Sequence, residues 1–131
     1  MLELSEHMEI KTADKVREHM IDLRKMGYRI AMDDLGAGHN GLAAFAKIGP
    51  DIVKIDIQLI RGAEKERTKL RLIGSLIEIC RDLNIRCIAE GVETRSNCSA
   101  LIETGCDLYQ GYLFGKPDRV LRPFVPLPEE K

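Results

Sequence analysis

The pattern of apolar and polar positions along the chain predicts short strands that alternate with helices. The first segment, residues 2–6, alternates apolar and polar side chains, as a half-buried strand does. Each later apolar run is followed by a helical pattern that ends at glycine or asparagine. We predict strands over residues 2–6, 28–33, 51–56, 85–90 and 107–110, and helices over residues 12–26, 41–48, 63–83 and 94–105.

Each predicted helix carries an apolar stripe that should face the strands. The stripes consist of Val16, Met20 and Leu23 in the first helix, Ile73, Leu76, Ile77 and Cys80 in the long helix, and Cys98, Leu101 and Ile102 in the last helix. Thr94 is placed to cap the last helix. Residues 64–67 all carry charge, so we expect them to form a solvated end of the long helix.

The repeated order of strand and helix is typical of parallel β/α units joined by right-handed crossovers. The predicted fold class is therefore α/β with a parallel sheet. A length of 131 residues suits one domain, and 44% hydrophobic with 31% charged residues is a globular composition. Four prolines follow Lys116, so we expect little regular structure in the tail, residues 118–131.

Composition and charge exclude several classes of function. The net charge is −1, so no basic surplus favours binding to a nucleic acid polymer. No uncharged apolar run is long enough for a membrane span, and no basic-then-apolar leader precedes residue 20. The four cysteines form no Cys-x-x-Cys pair, which favours reduced core thiols and a cytoplasmic location.

Two adjacent carboxylates, Asp33 and Asp34, end the second apolar segment and precede a glycine-rich turn. Neighbouring acids repel each other unless a cation, a proton or a basic group lies between them. Gly36 and Gly38 allow the backbone to turn tightly and to approach a ligand. The pattern favours a metal or ligand site, but a solvated Asp-Asp turn that closes a strand would have the same local sequence.

Polar residues also occur near the carboxyl ends of the other predicted strands: Glu3, Lys54, Asp56, Glu90 and Gln110. In a β/α barrel these ends form the active-site face. Carboxylates are hard oxygen ligands that suit Mg²⁺ or Mn²⁺, and two such ions can hold a phosphodiester while a lysine adds positive charge. Asp56 has a second interpretation, a structural ion pair with Lys54 or with a neighbouring strand.

These motifs resemble those of the EAL-domain phosphodiesterases, which hydrolyse the bacterial second messenger cyclic di-GMP. The matching stretches are Leu2–Glu6, Asp33–Gly38, Val53–Asp56, Ala89–Thr94 and Gly105–Tyr112. The resemblance runs from Leu2 to about Pro117. It implies that residues 1–117 are the carboxyl-terminal portion of an EAL domain, and hence a partial TIM-type barrel of about five strands where a complete barrel needs about 250 residues.

The resemblance also implies a role for each matched residue. It makes Glu3, Asp33, Asp34 and Glu90 metal ligands, and it makes Lys54, Glu90 and Gln110 the catalytic residues around the attacking water. Asp33 would bridge two ions, and Glu90 is the candidate general base.

The remaining matched residues are implied to support the site or to contact substrate. Glu6, Asp56 and Glu93 would support the loop and the metal ligands. Gly36, Gly38 and Tyr112 are the candidate contacts to cyclic di-GMP, with Mg²⁺ or Mn²⁺ as cofactor.

Two departures from the family pattern bear on activity. The chain contains no Glu-Ala-Leu, whose glutamate is a metal ligand in the family, and no counterpart of the family's ligand asparagine. In addition, Ala37 and His39 stand where the family usually has threonine and tyrosine. We therefore expect the isolated chain to be weakly active or inactive. The alternative is an EAL remnant that binds nucleotide or protein without hydrolysis and acts through self-association.

A half barrel should also need a partner. It leaves two strand edges and one sheet face uncovered, and open edges pair readily with other chains. The expected partner is either a second copy of the chain, which gives a homo-oligomer, or an amino-terminal half-barrel.

Overall fold

Five parallel strands form one sheet in chain order in the computed structural model, which describes residues 1–5, 13–36 and 41–119. The strands are β1 (Leu2–Ser5), β2 (Ile30–Leu35), β3 (Ile52–Ile55), β4 (Arg86–Glu90) and β5 (Leu108–Gln110). Their order and direction confirm the predicted α/β class.

Helices connect the strands at the predicted places. They are α1 (Ala13–Lys25), α2 (Gly41–Ile48), α3 (Ile57–Ile60), α4 (Arg67–Asp82) and α5 (Arg95–Glu103), with a 3₁₀ turn at Ala63–Lys65. Thr94 caps α5 as predicted, because its hydroxyl accepts a hydrogen bond from Asn97 N at 3.2 Å. The tail beyond residue 119 lies outside the described residues.

The core lies between the helices and one face of the sheet. Met32, Val53 and Ile55 are completely buried there, and Met20 of α1 and Ile73 of α4 pack against the same cluster. Burial of each large apolar side chain contributes about 1.5–3 kcal/mol. Successive residues of a strand point to opposite faces. The residues next to Met32, Val53 and Ile55 in their strands therefore lie on the face away from the helices.

The long helix predicted for residues 63–83 is wrong at its amino end. Gly62, with a φ of 72°, begins the 3₁₀ turn, and α4 starts only after the extended residue Glu66. Asn97 of α5 donates hydrogen bonds to Ile60 O at 2.9 Å and to Glu64 Oε2 at 2.8 Å. This contact from a distant helix replaces the continuous helix that the local sequence favours.

The inward orientation predicted for Ile102 is also wrong, since 57% of this residue is exposed. Helix α5 buries Asn97 and Leu101 instead, which are four residues apart and lie on one face. The buried face of α5 therefore contains the amide of Asn97 and is not purely apolar.

The described part of the sheet has two unpaired edges. β1 pairs with β2 and β5 pairs with β4, and neither has a second neighbour among the described residues. All four cysteines are free thiols. None of the helices in the described ranges has the length and apolarity that a membrane crossing requires.

Candidate functional site

Lys54 of β3 holds three carboxylates together at the carboxyl edge of the sheet. Its Nζ lies 2.8 Å from Glu90 Oε1, 2.9 Å from Asp33 Oδ1 and 3.3 Å from Glu3 Oε1. Each acid comes from a different strand, β4, β2 and β1 respectively. Four neighbouring strands thus each contribute one charged side chain to a single cluster, which we call the Lys54 cluster.

Strand alternation explains why these side chains meet. Met32, Val53 and Ala89 have no exposed surface because they face the helices. The next residue along each of these strands, Asp33, Lys54 and Glu90, must point to the opposite face. Parallel pairing then brings the strand ends to the same edge of the sheet.

The Lys54 ammonium is charged although only 8% of its side chain is exposed. Burial alone would lower its pKa, but the contacts with Glu90 and Asp33 outweigh burial and raise the pKa above its ordinary value. For Glu90, burial raises the pKa, Lys54 opposes this rise, and Asp33 and Asp34 add to it. The cluster therefore holds more negative charge than one lysine neutralises.

Three carboxylates at this edge of the sheet, two of them from the Lys54 cluster, are close enough to hold a divalent ion. Asp33, Asp34 and Glu90 each offer a carboxylate oxygen, and these oxygens lie within 4.8 Å of one another. Asp33 Oδ1 is buried and accepts no well-directed hydrogen bond from the described residues, although Lys54 Nζ lies 2.9 Å away. A buried oxygen without a directed donor and a set of hard oxygen ligands both fit Mg²⁺ or Mn²⁺.

A backbone irregularity allows two consecutive aspartates to join this group. The prediction that β2 ends at Asp33 is wrong, because the strand continues to Leu35. Its pairing with β3 shifts register between Met32 and Leu35. Asp34 has a φ of 60°, a left-handed conformation that aspartate tolerates better than most residues. In a regular strand, Asp33 and Asp34 would point to opposite faces.

Glu3 and Gln110 lie at the margins of the cluster. Glu3 contacts Lys54, but 44% of its side chain is exposed, and its oxygens are not in the group of potential ligands formed by the described residues. Gln110 ends β5 directly beside Glu90 in the strand register and is exposed. Glu6 and Gly38, two further predicted site residues, lie outside the described residues.

Asp56 is buried but does not contact Lys54, so the alternative interpretation as their ion pair is wrong. Its carboxylate accepts a hydrogen bond from Gln58 N at 2.7 Å and caps α3. Its own N–H donates to Leu35 O at 3.2 Å. Asp56 therefore fixes the start of the loop after β3, next to the strand that carries Lys54.

An open cavity of about 350 Å³ adjoins the Lys54 cluster through Glu90 and Gln110. Tyr112, which is 60% exposed, and Glu93 also line it. Gly36 directly follows β2 and is exposed. Sequence reasoning missed Arg61, which lines the cavity and pairs with Glu93, because the two residues are 32 positions apart and no motif links them.

A prediction follows for Gly111 in the wall of this cavity. A Cβ at this position would lie 2.1 Å from Val92 O, which accepts a hydrogen bond from Leu113 N. We expect Gly111→Ala to lower the free energy of unfolding by about 1–3 kcal/mol, because the backbone must move. Denaturant unfolding monitored by circular dichroism measures the effect.

Gly74→Ala is the matched control, since its Cβ would be no closer than 3.9 Å to Thr104. Gly74 lies inside α4, where alanine stabilises a helix by about 1 kcal/mol relative to glycine. Equal unfolding midpoints for the two variants would contradict the close packing at Gly111.

Known proteins are similar to this chain in sequence and in fold. The family model of the EAL domain matches residues 1–117. The cyclic di-GMP phosphodiesterase RocR of Pseudomonas aeruginosa is 32% identical over 117 residues, which cover 89% of this chain and 30% of RocR. The chain thus spans less than a third of the length of this curated relative.

Solved structures give the same result. Klebsiella pneumoniae BlrP1 in a complex with manganese and cyclic di-GMP superposes with a TM-score of 0.82 and 37% identity, over 88% of this chain and 29% of BlrP1. A standalone EAL protein from Vibrio cholerae in its c-di-GMP bound form gives a TM-score of 0.86 and 31% identity. That match covers 95% of this chain and 52% of the Vibrio protein, so the five strands correspond to about half of it.

Proposed function

Because this chain belongs to the EAL domain family, we propose that it is part of a metal-dependent phosphodiesterase that opens cyclic di-GMP to linear pGpG. The observation that carries the proposal is the Lys54 cluster with the adjoining Asp34, where hard oxygen ligands and a buried cation meet at the strand ends. The names of RocR and of the BlrP1 complex support the substrate and a divalent ion.

The metal ligands in this proposal are Asp33, Asp34 and Glu90, with Glu3 at the edge of the site. Bound Mg²⁺ or Mn²⁺ would polarise the phosphodiester and lower the pKa of a bound water. BlrP1 supports manganese in particular, and magnesium is proposed from the hard oxygen ligands alone.

The protein groups would then position the reactants. Lys54 Nζ donates hydrogen bonds that orient the attacking water, and Glu90, whose pKa is raised by burial, accepts its proton. The water oxygen forms a bond to phosphorus, and the bond from phosphorus to the ribose 3′ oxygen breaks. That oxygen takes up a proton from solvent, and Glu90 returns the proton that it accepted to solvent. Gln110, beside Glu90, orients the water and the phosphate.

A second candidate function is binding without hydrolysis. It is favoured by the loop after Asp34, where Ala37 and His39 stand in place of the threonine and tyrosine that the family usually has. If that loop positions the site differently, the water is misplaced, and small geometric errors greatly reduce rate. The same site could hold nucleotide or a protein and signal through self-association.

For either function we place the chain in the cytoplasm, where its four thiols would stay reduced.

The deciding experiment is hydrolysis of cyclic di-GMP by the purified 131-residue chain with Mn²⁺ or Mg²⁺, with pGpG separated by chromatography. We expect weak or undetectable turnover, and any turnover should vanish in Asp33→Asn. Rapid turnover that Asp33→Asn abolishes would show that these ligands suffice. Turnover that Asp33→Asn leaves unchanged would contradict the proposed site. Binding of cyclic di-GMP without product would favour the second function.

We also propose that the chain associates through its open sheet. β1 and β5 each present an unpaired edge within the described residues. The expected partner is a second copy or an amino-terminal half-barrel that pairs with these edges. Multi-angle light scattering should show dimers or larger species at micromolar concentration. A compact, stable monomer would contradict self-association.

A further inference from the structure

Cys80 and Cys87 face each other across the layer between α4 and the sheet. Cys80 belongs to the buried face of α4, and Cys87 alternates with other residues of β4 on the side that faces the helices. Both side chains are buried, and their sulfur atoms are close enough to share a hydrogen bond. Neither residue has a part in the proposed hydrolysis.

The turn between α4 and β4 holds the two thiols together. Asn84, with a φ of 57°, reverses the chain after the helix, and Ile85 N donates a hydrogen bond to Cys80 O at 2.7 Å. Cys80 and Cys87 are only seven positions apart, so this short turn allows them little relative movement. The contact between the thiols is therefore fixed by the backbone as well as by packing.

A small cavity gives access to this pair. Its volume is about 140 Å³, and its walls include Cys87 and the exposed residues Arg81 and Arg86. It lies at the amino ends of β4 and β5, the edge of the sheet opposite the Lys54 cluster. Small-molecule sites usually measure about 300–1,000 Å³, so this cavity is too small for a nucleotide. It has room for a molecule as small as hydrogen peroxide.

The two thiols differ in how readily they ionise. The hydrogen bond that Cys87 donates lowers the pKa of the Cys80 thiol. The same bond, together with burial, raises the pKa of the Cys87 thiol, and the nearby Arg81 guanidinium opposes this rise. Cys80 is therefore the member of the pair that ionises first, and the thiolate is the reactive form in thiol oxidation.

The other two cysteines are less suited to this chemistry. Burial raises the pKa of both the Cys98 and the Cys106 thiol. Cys106 also lines the cavity, but its Sγ donates a hydrogen bond to Leu108 O at 3.3 Å and not to another thiol. The combination of a neighbouring thiol, a favoured thiolate and a small cavity is thus found at Cys80 and Cys87.

We propose that Cys80 and Cys87 form an oxidative modification site, at which hydrogen peroxide closes a disulfide between α4 and β4. The Cys80 thiolate attacks one peroxide oxygen, the O–O bond breaks, and the departing hydroxide takes up a proton to become water. Cys87 then loses its proton to solvent and attacks the sulfur of the Cys80 sulfenic acid. The S–S bond forms, the S–O bond breaks, and the released hydroxide is protonated to a second water.

Peptide mapping of the full chain after peroxide treatment tests this proposal. The reduced chain is treated in buffer with a metal chelator, alkylated and digested with trypsin, which separates residues 72–81 from residues 87–95. We expect a disulfide between these two peptides that dithiothreitol removes. If the folded chain forms no such link, or if Cys87 is linked to Cys106, the proposal is wrong.

Alanine variants test the selectivity of the reaction. Cys80→Ala and Cys87→Ala should each abolish the linked peptides, and Cys98→Ala is the matched control that should form them like the unmodified chain. Oxidation of Cys98 before the disulfide appears would contradict the assignment. Mapping of the unmodified chain decides the question even where an alanine variant does not fold.

Thermal unfolding shows whether the folded chain accommodates the bond. A disulfide restricts the unfolded state, so the oxidised chain should melt roughly 5–10 °C above the reduced chain. Cys87→Ala treated in the same way should show no increase. An unchanged or lower melting temperature of the oxidised chain would mean that the bond forms only when native packing breaks, and the proposal would fail.

Discussion

Lys54→Met should lower the free energy of unfolding by about 3–5 kcal/mol in metal-free buffer, because removal of one partner from a buried ion pair leaves charge uncompensated. The methionine side chain has a similar length but lacks both the charge and the N–H donors of the ammonium. Three carboxylates that now surround the ammonium would face one another without a cation. Guanidinium unfolding monitored by circular dichroism measures the loss.

Divalent ions should rescue this variant in part. A bound Mn²⁺ supplies the positive charge that Lys54 no longer provides, and ligands that bind the native state raise its stability. The Mn²⁺-induced increase in melting temperature should therefore be larger for Lys54→Met than for the unmodified chain. If Lys54→Met does not fold without metal, Lys54→Arg, which keeps the charge, is measured in its place.

Lys25→Met is the matched control for Lys54→Met. Lys25 contacts Asp22 at 3.0 Å, but 71% of its side chain is exposed. Its replacement should change stability by less than about 0.5 kcal/mol and should leave the response to Mn²⁺ unaltered. If Lys54→Met is as stable as Lys25→Met without metal, the Lys54 cluster does not have the charge balance described here.

Asp33→Asn should weaken Mn²⁺ binding by about 10- to 100-fold or more. A loss of this size is typical when a residue that only hydrogen-bonds to a metal ligand is replaced, and Asp33 is proposed as a ligand itself. The amide keeps the shape of the side chain and removes one of the three carboxylates whose oxygens lie within 4.8 Å of one another. It also leaves the contact with Lys54 without its anion. Electron paramagnetic resonance of free Mn²⁺ measures the dissociation constant directly.

Asp82→Asn makes the same chemical change at the exposed end of α4 and should bind Mn²⁺ like the unmodified chain. Glu3→Gln should have a smaller effect than Asp33→Asn, since Glu3 is more exposed and lies outside the group of three oxygens. If Asp33→Asn and Asp82→Asn bind Mn²⁺ equally, the assignment of Asp33 as a ligand is wrong.

The strand order and the meeting of Glu3, Asp33, Lys54 and Glu90 could be predicted from the sequence. Both follow from one regular feature, parallel strands whose alternate residues share a face and whose carboxyl ends share an edge. A motif placed at the end of each predicted strand is then near the others, whatever the distance along the chain. The resemblance to the EAL family added roles that this geometry alone does not assign.

The sequence could not reveal features that depend on a contact between distant elements. The break before α4 involves Asn97, which reaches Glu64 and Ile60 from another helix. The shift in β2 that turns Asp34 toward Asp33 depends on pairing with β3. Local propensity favours a longer helix and a shorter strand at these two places, and tertiary contacts override it.

The sequence also could not show which side chains contact each other at the site. Asp56 lies two residues after Lys54 whether its carboxylate pairs with Lys54 or caps α3, and only the structure shows the cap. Arg61 belongs to no recognisable motif, and its contact with Glu93 exists because two loops emerge at the same edge.

Anomalous X-ray scattering from a crystal grown with Mn²⁺ tests the central claim most directly. We expect a manganese peak between Asp33, Asp34 and Glu90, with carboxylate oxygens at roughly 2.0–2.6 Å, the range for hard divalent ions. A crystal in which manganese binds elsewhere, or in which these three carboxylates point away from one another, would contradict it.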